Sequence, residues 1–253
     1  MSILFITVQF ILIAIGLQFV IAPFIIRLKL AHPASPEFEP INIHQLPPDV
    51  ADNFGRFIYA MSFDGFMFRG YFRQLAYMKG LGFFLVFLKN PGTGDVTYLL
   101  ETFADNGPVP MRFSQVEFST DFSNGVEVLS NNGQQAVPHK AVPELKLFRF
   151  PEVHNPRVLY QLHRRLCARH AQGAESIIPA DGAETFLLSY GTVKEVRRQA
   201  EFGYYYLDEK ADLFRLTLKG AFLMTWKMAW PVGSLRKALM KSRARATMRS
   251  LGF

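Results

Sequence analysis

The chain has 253 residues, 49% of them hydrophobic, and phenylalanine alone occurs 25 times. This excludes a wholly disordered chain and leaves apolar material for one large domain or two small ones. A single cysteine, Cys167, excludes an internal disulfide, and the net charge of +7 belongs to the tail, because residues 213–253 hold nine basic side chains and no acidic one.

In chain order, residues 3–26 contain no charged side chain. A helix rising ~1.5 Å per residue covers the ~30 Å hydrocarbon core with about 20 residues, and an isolated span can only be a helix. Residues 1–29 therefore read as one transmembrane anchor. Gln9 and Gln18 are polar exceptions, either tolerated or bonded to a partner helix. A cleaved signal peptide wants a basic start, a shorter apolar stretch and a small-residue cleavage site. No Lys or Arg precedes the span, and Ala31-His32-Pro33-Ala34 is a poor cleavage sequence. Arg27 and Lys29 follow the span, so the positive-inside rule predicts an N-out helix with the rest of the chain in the cytoplasm.

Residues 30–48 carry Pro33, Pro36, Pro40, Pro47 and Pro48 and read as an extended linker. A helix follows over 48–63, with Val50, Phe54, Phe57, Ile58 and Met61 on one stripe. Aromatic-rich runs at 71–78, 83–89, 95–103, 112–118, 126–129 and 146–150 read as strands. Ser123-Asn124-Gly125 marks a hairpin, because Asn-Gly accepts positive φ. Short connections predict an antiparallel sheet of five or six strands, since parallel neighbours need long crossovers. Asn155, Pro156 and Gly173 bracket a helix in N-cap, N1 and stop positions. Another helix is expected over 182–202, then a hairpin of 204–207 with 213–216. Thr217 caps a helix running to Trp230, and Ser234 starts a basic one. The predicted class is α+β, with a sheet domain over 49–180 and a helix–hairpin–helix segment with a basic tail over 181–253.

His163, Cys167 and His170 lie at i, i+4 and i+7 on the 155–172 helix. Imidazole and thiolate suit zinc, but three ligands from one helix rarely close a tetrahedron. Boundary histidines with a small packing cysteine is the plainer reading, and a Cys–His hydrolytic pair lacks an identifiable orienting group. The run Asn90-Pro91-Gly92-Thr93-Gly94-Asp95 lacks the Gly-Lys-Ser/Thr of a phosphate loop and reads as a hairpin turn. Ser189-Tyr190-Gly191 is no nucleophile elbow. His32, His44, His139 and His154 show no informative spacing. Glu117 and Asp121 share a face if their strand extends that far. No cofactor is implied.

The tail is the most informative constellation. Trp226 and Trp230 close a mostly apolar helix too short to span a bilayer, and Arg236, Lys237, Lys241, Arg243 and Arg245 follow it. With Arg27, Lys29 and Lys227 they form the predicted contact set for anionic headgroups or an acidic protein partner. The helix, strand, acidic turn and strand of residues 195–230 resemble the wing end of a winged-helix domain, which implies a hairpin on a nucleic-acid backbone. The leading expectation is a membrane-tethered interaction or scaffolding protein. The alternatives are a membrane-bound enzyme acting on a hydrophobic or lipid substrate, and a membrane-bound nucleic-acid binder.

Overall fold

In the computed structural model, residues 3–78, 81–104, 111–136 and 138–253 are described. The N-terminal apolar run forms α1 (Ile3–Lys29), followed by strands β1 (Ala31–Pro33) and β2 (Phe38–Ile41) and helix α2 (Pro48–Ser62). Strands β3 (Met67–Met78), β4 (Leu81–Lys89), β5 (Val96–Ala104), β6 (Met111–Asp121), β7 (Glu127–Asn131) and β8 (Leu145–Arg149) come next. The remainder is α3 (Pro156–His170), α4 (Glu184–Glu201), β9 (Tyr205–Asp208), β10 (Leu213–Leu216), α5 (Leu218–Met228) and α6 (Val232–Ser250). The class is α+β, as expected.

The sheets correct the strand count. One sheet has seven strands, in the order β2-β3-β4-β5-β6-β7-β8, and a second has three, in the order β1-β10-β9. The large sheet is mixed rather than antiparallel, because β8 runs parallel to β7. That reversal uses the long 132–144 connection as its crossover, where a short return was expected. The additional strands β1 and β2 were hidden by Pro33 and Pro40. Both strands are at sheet edges, where a proline's missing N–H breaks no ladder bond.

The chain divides into two compact units. Unit 1 comprises Met1–Ser35, Gln135–Lys140 and Thr192–Met240, and unit 2 comprises Pro36–Gln134, Ala141–Gly191 and Lys241–Phe253.

Unit 2 holds the large sheet. Alternation sends Val86, Leu88, Leu99, Val116, Phe118 and Val128 to one face, where they pack with Phe54, Phe57 and Met61 of α2 and Leu159, Leu162 and Leu166 of α3. The other face carries Phe72, Leu85 and Phe87 against Phe38 and Leu188. Asn155 caps α3 by accepting the Arg157 N–H at 2.9 Å. The Asn124-Gly125 turn is present, with Gly125 at φ 81°.

Unit 1 is built round the smaller sheet. Phe214 and Leu216 of β10, Tyr204 and Tyr205, Val193 and Val196 of α4 and Met224 of α5 form its core, and Ile26 and Leu30 pack on it. Thr217 caps α5, accepting from Gly220 N at 2.9 Å.

Candidate functional site

Four residues of α3 at helical spacing, Tyr160, His163, Arg164 and Cys167, face β6, β7 and the β4–β5 turn. They converge with Asp95, Thr120 and Ser130. Asp95, Ser130 and His163 have no solvent exposure and Cys167 has 2%. The turn that delivers Asp95 requires glycine at Gly94, with φ at +73° and a would-be Cβ 2.7 Å from the Ile177 carbonyl.

Asp95 is the acceptor at the centre. Thr120 Oγ1 donates to its Oδ1 at 2.5 Å, while Thr93 Oγ1 and the Tyr160 hydroxyl donate to Oδ2 at 2.7 and 2.8 Å. Arg164 Nη1 reaches both oxygens, at 3.0 and 3.1 Å. His163 Nε2 is 2.9 Å from Thr120 Oγ1 and its Nδ1 is 3.1 Å from Ser130 Oγ. Since Thr120 gives its proton to Asp95, the network assigns the imidazole proton to Nε2, with Ser130 donating to Nδ1. Burial lowers the His163 pKa to about 4, so the ring is neutral at pH 7. Cys167 Sγ lies 3.4 Å from His163 Nε2 and 3.5 Å from Thr120 Oγ1. Burial pushes its thiol up to about 11.

One potential ligand atom from each of Asp95, His163 and Cys167 lies within 4.8 Å of the others. The donor types suit a borderline cation. Binding one, however, means displacing Thr120 and Arg164 from Asp95 and deprotonating a thiol held well above neutrality. A buried, protonated thiol is also a poor nucleophile. The arrangement is therefore a satisfied polar core that fixes α3 on the sheet. His170, the third member of the predicted trio, is not part of it and lies tilted beside Phe148 with ring centroids 5.3 Å apart.

Glu117 lies on the opposite sheet face. It accepts from Asn131 Nδ2 at 2.8 Å and from the Tyr98 hydroxyl, and desolvation raises its pKa. Asp121, on the same strand, is exposed. The pair does not form an acid–base site. Asn90-Pro91-Gly92-Thr93-Gly94-Asp95 is the β4–β5 turn, closed by Gly94 N–H on the Asn90 carbonyl at 2.9 Å.

In unit 1 the structure brings together two histidines that spacing could not associate. The Tyr205 hydroxyl lies 3.2 Å from His139 Nε2 and 3.5 Å from His32 Nε2. His139 Nδ1 is 3.5 Å from Glu195. Burial first, and the neighbouring His139 second, lower the His32 pKa to about 4. The 138–140 segment is held by Gln199, which accepts from Lys140 N and donates to Lys140 O, both at 2.9 Å.

The tail residues separate into two groups. Arg27, Lys29, Trp226, Trp230, Lys237 and Arg243 are exposed. Lys227 instead turns inward, donating to the Pro138 carbonyl and the Tyr204 hydroxyl, each at 2.7 Å. Arg245 pairs with Glu152 at 2.7 Å and Lys241 approaches it at 3.7 Å. Arg236 is half-buried. The β9–β10 hairpin is bonded on one side to β1, and Arg215 within it is paired with Asp208 at 2.8 Å.

α1 exposes many large apolar side chains, Phe10 at 69% and Leu28 at 82% among them. It is the one helix among the described residues long and apolar enough to cross a membrane, and none of its apolar window is buried. Comparisons with protein-family models, curated proteins and solved structures returned no match.

Proposed function

We propose that this is a single-pass, membrane-tethered scaffolding protein, with its N-terminus outside and the chain after α1 at the cytoplasmic face. The observation that carries this reading is that α1 is long and apolar enough over Phe5–Lys29 to cross a membrane, with its most apolar stretch unburied. Leaving such a surface in water costs ~25 cal/mol per Å², and soluble monomers rarely expose apolar patches of that size. Arg27 and Lys29 at one end support the orientation. The buried polar network of unit 2 supports a structural rather than chemical role for its His and Cys. The exposed bases Lys237 and Arg243 supply a second, electrostatic contact with anionic headgroups, each worth ~1 kcal/mol near the surface. Tethering raises the effective concentration of that contact, so it need not be strong.

The test uses the full chain in native membranes. Resistance to alkaline carbonate, an intact N-terminus and protease access to residues 30–253 only from the cytoplasmic side are expected. Release by carbonate, or a chain cleaved near residue 30, would overturn the reading. For the tail, labelling of Lys237 by a water-soluble amine reagent should be slower on phosphatidylserine vesicles than on phosphatidylcholine vesicles.

A further inference from the structure

Helix α5 does not run free of α1. Trp226 packs on Phe19 with ring centroids 5.3 Å apart, and Phe222 packs on Phe24 at 5.9 Å. As α1 advances from 19 to 24, α5 retreats from 226 to 222, so the two helices run antiparallel along the basic end of the span.

The depth of this contact follows from length. α1 has 27 residues, about 40 Å of helix against a ~30 Å core. About seven residues must protrude, and the end that carries Arg27 and Lys29 is the one suited to water. The hydrocarbon boundary then falls near Ala22 and Pro23, which puts Phe19 about one turn inside it and Phe24 just outside. Trp226 is fixed to Phe19 and shares its depth.

The outward face of α5 is built for that position. Leu218, Phe222 and Trp226 recur every four residues of α5 and, with Trp230 just beyond its end, are 45%, 41%, 55% and 56% exposed. On the inward side, Ala221, Met224 and Thr225 are buried and Lys227 is held by protein oxygens, while Lys219, exposed at the end of α5 away from the tip, donates to the Phe202 carbonyl at 3.1 Å. The chain turns tightly after α5, where a Cβ on Gly233 would collide with the Met228 carbonyl. The start of α6 then adds Leu235, 67% exposed, to the same tip. Arg236 and Lys237 follow at once, one turn from the tip.

We infer that the α5–α6 tip, comprising Trp226, Met228, Trp230 and Leu235, is a wedge inserted into the leaflet from which α1 emerges, with the acyl chains beneath the headgroups as its occupant. This rests on the reading of α1 as a membrane span and adds to it a second, shallow insertion of unit 1. The continuity of α5 with α1 selects lipid over a protein partner. Tryptophan suits this zone, with an apolar body and a polar N–H, and lysine snorkels from it to the headgroups.

The chain has two tryptophans, both in the wedge, so intrinsic fluorescence reports on nothing else. The full-length protein and its W226F and W230F variants would be reconstituted in phosphatidylcholine vesicles containing lipids brominated either high on the acyl chain or near its end. The expected result is blue-shifted emission, most of it lost to the high-brominated lipid, less lost to the low-brominated lipid and little lost to aqueous iodide. Strong iodide quenching with no bromolipid effect, in a protein that still resists carbonate, would overturn the wedge and leave the span intact. Release by carbonate would remove the span and the wedge together.

Discussion

The two units place their difficult residues in opposite ways. Unit 2 encloses charge: Asp95 and Glu101 have no solvent exposure, and each is met by an arginine, Arg164 at 3.0 Å and Arg112 at 2.8 Å. Unit 1 exposes greasy surface, from Phe10 and Leu28 on α1 to Trp226 and Trp230 beside α5. A buried charge that is fully paired is satisfied within the protein and asks for no partner. An aromatic side chain left half exposed, as Trp226 is beyond its contact with Phe19, gains from a surrounding that is not water. The contrast fits the proposed reading, in which unit 1 makes the external contact.

The largest effect should come from reversing unit 1's character. Arginine at both Ile13 and Val20 introduces two charges into the span at about 3 kcal/mol each. The protein should move from the carbonate-resistant pellet to the soluble or degraded fraction, read by immunoblot. Unchanged retention would deny α1 its membrane role.

Breaking unit 2's pairing comes next. D95A leaves Arg164 and three hydroxyl donors without their acceptor. Removing one partner of a buried pair costs about 3–5 kcal/mol, and because the Arg164 side chain is 41% exposed, the low end applies. A urea midpoint in mild detergent checks this, and an unshifted midpoint would dissolve the contrast between the units. Membrane retention should survive.

The pH response sharpens the comparison, since both units bury neutral histidines. His163 and His32 fall from 6.5 to about 4 on folding. The unfolded chain therefore binds protons that the folded chain refuses, and stability drops as pH falls from 6.5 to about 4, with no loss above that window. At ~1.4 kcal/mol per unit, the ceiling for His163 is about 3 kcal/mol. H163Q should flatten the acid limb of melting temperature against pH, leaving the part that belongs to His32. An unaltered limb would refute the assignment. The smallest effect is local: N155A removes the α3 cap and should cost about 1 kcal/mol, seen as a lower melting temperature for unit 2 with the tryptophan emission unmoved.

Much of this was legible in residue order. The α3 boundaries followed from Asn155, Pro156 and Gly173, and the β6–β7 turn from Asn124-Gly125, because caps and turns are decided by a few neighbouring residues. Tyr160 and Arg164 lie on the same helical side as His163 and Cys167, so their partnership could have been noticed. Asp95 gave no signal beyond following a glycine in a turn. The meeting of His32 with His139 depends on which chain segments a fold brings together, and no local period encodes that. Pro33 and Pro40 misled because proline opposes strands generally but not at sheet edges. For the tail, charge counting could not reveal that Lys227 points inward or that Arg245 is occupied by Glu152. Neither could it reveal that α5 lies along α1.

That last contact has a consequence for synthesis. Unit 1 is assembled from three separated stretches of chain, 1–35, 135–140 and 192–240. Synthesis completes α1 while the helix that packs on Phe19 and Phe24 is still about 190 residues away. At ~5–20 residues per second that interval lasts about 10–40 s. Until then Ile26 and Leu30 have no β10 or α5 to cover them. α1 would wait as a finished helix beside an unfinished interface, and unit 1 would close only when residues 192–240 returned to residues 1–35.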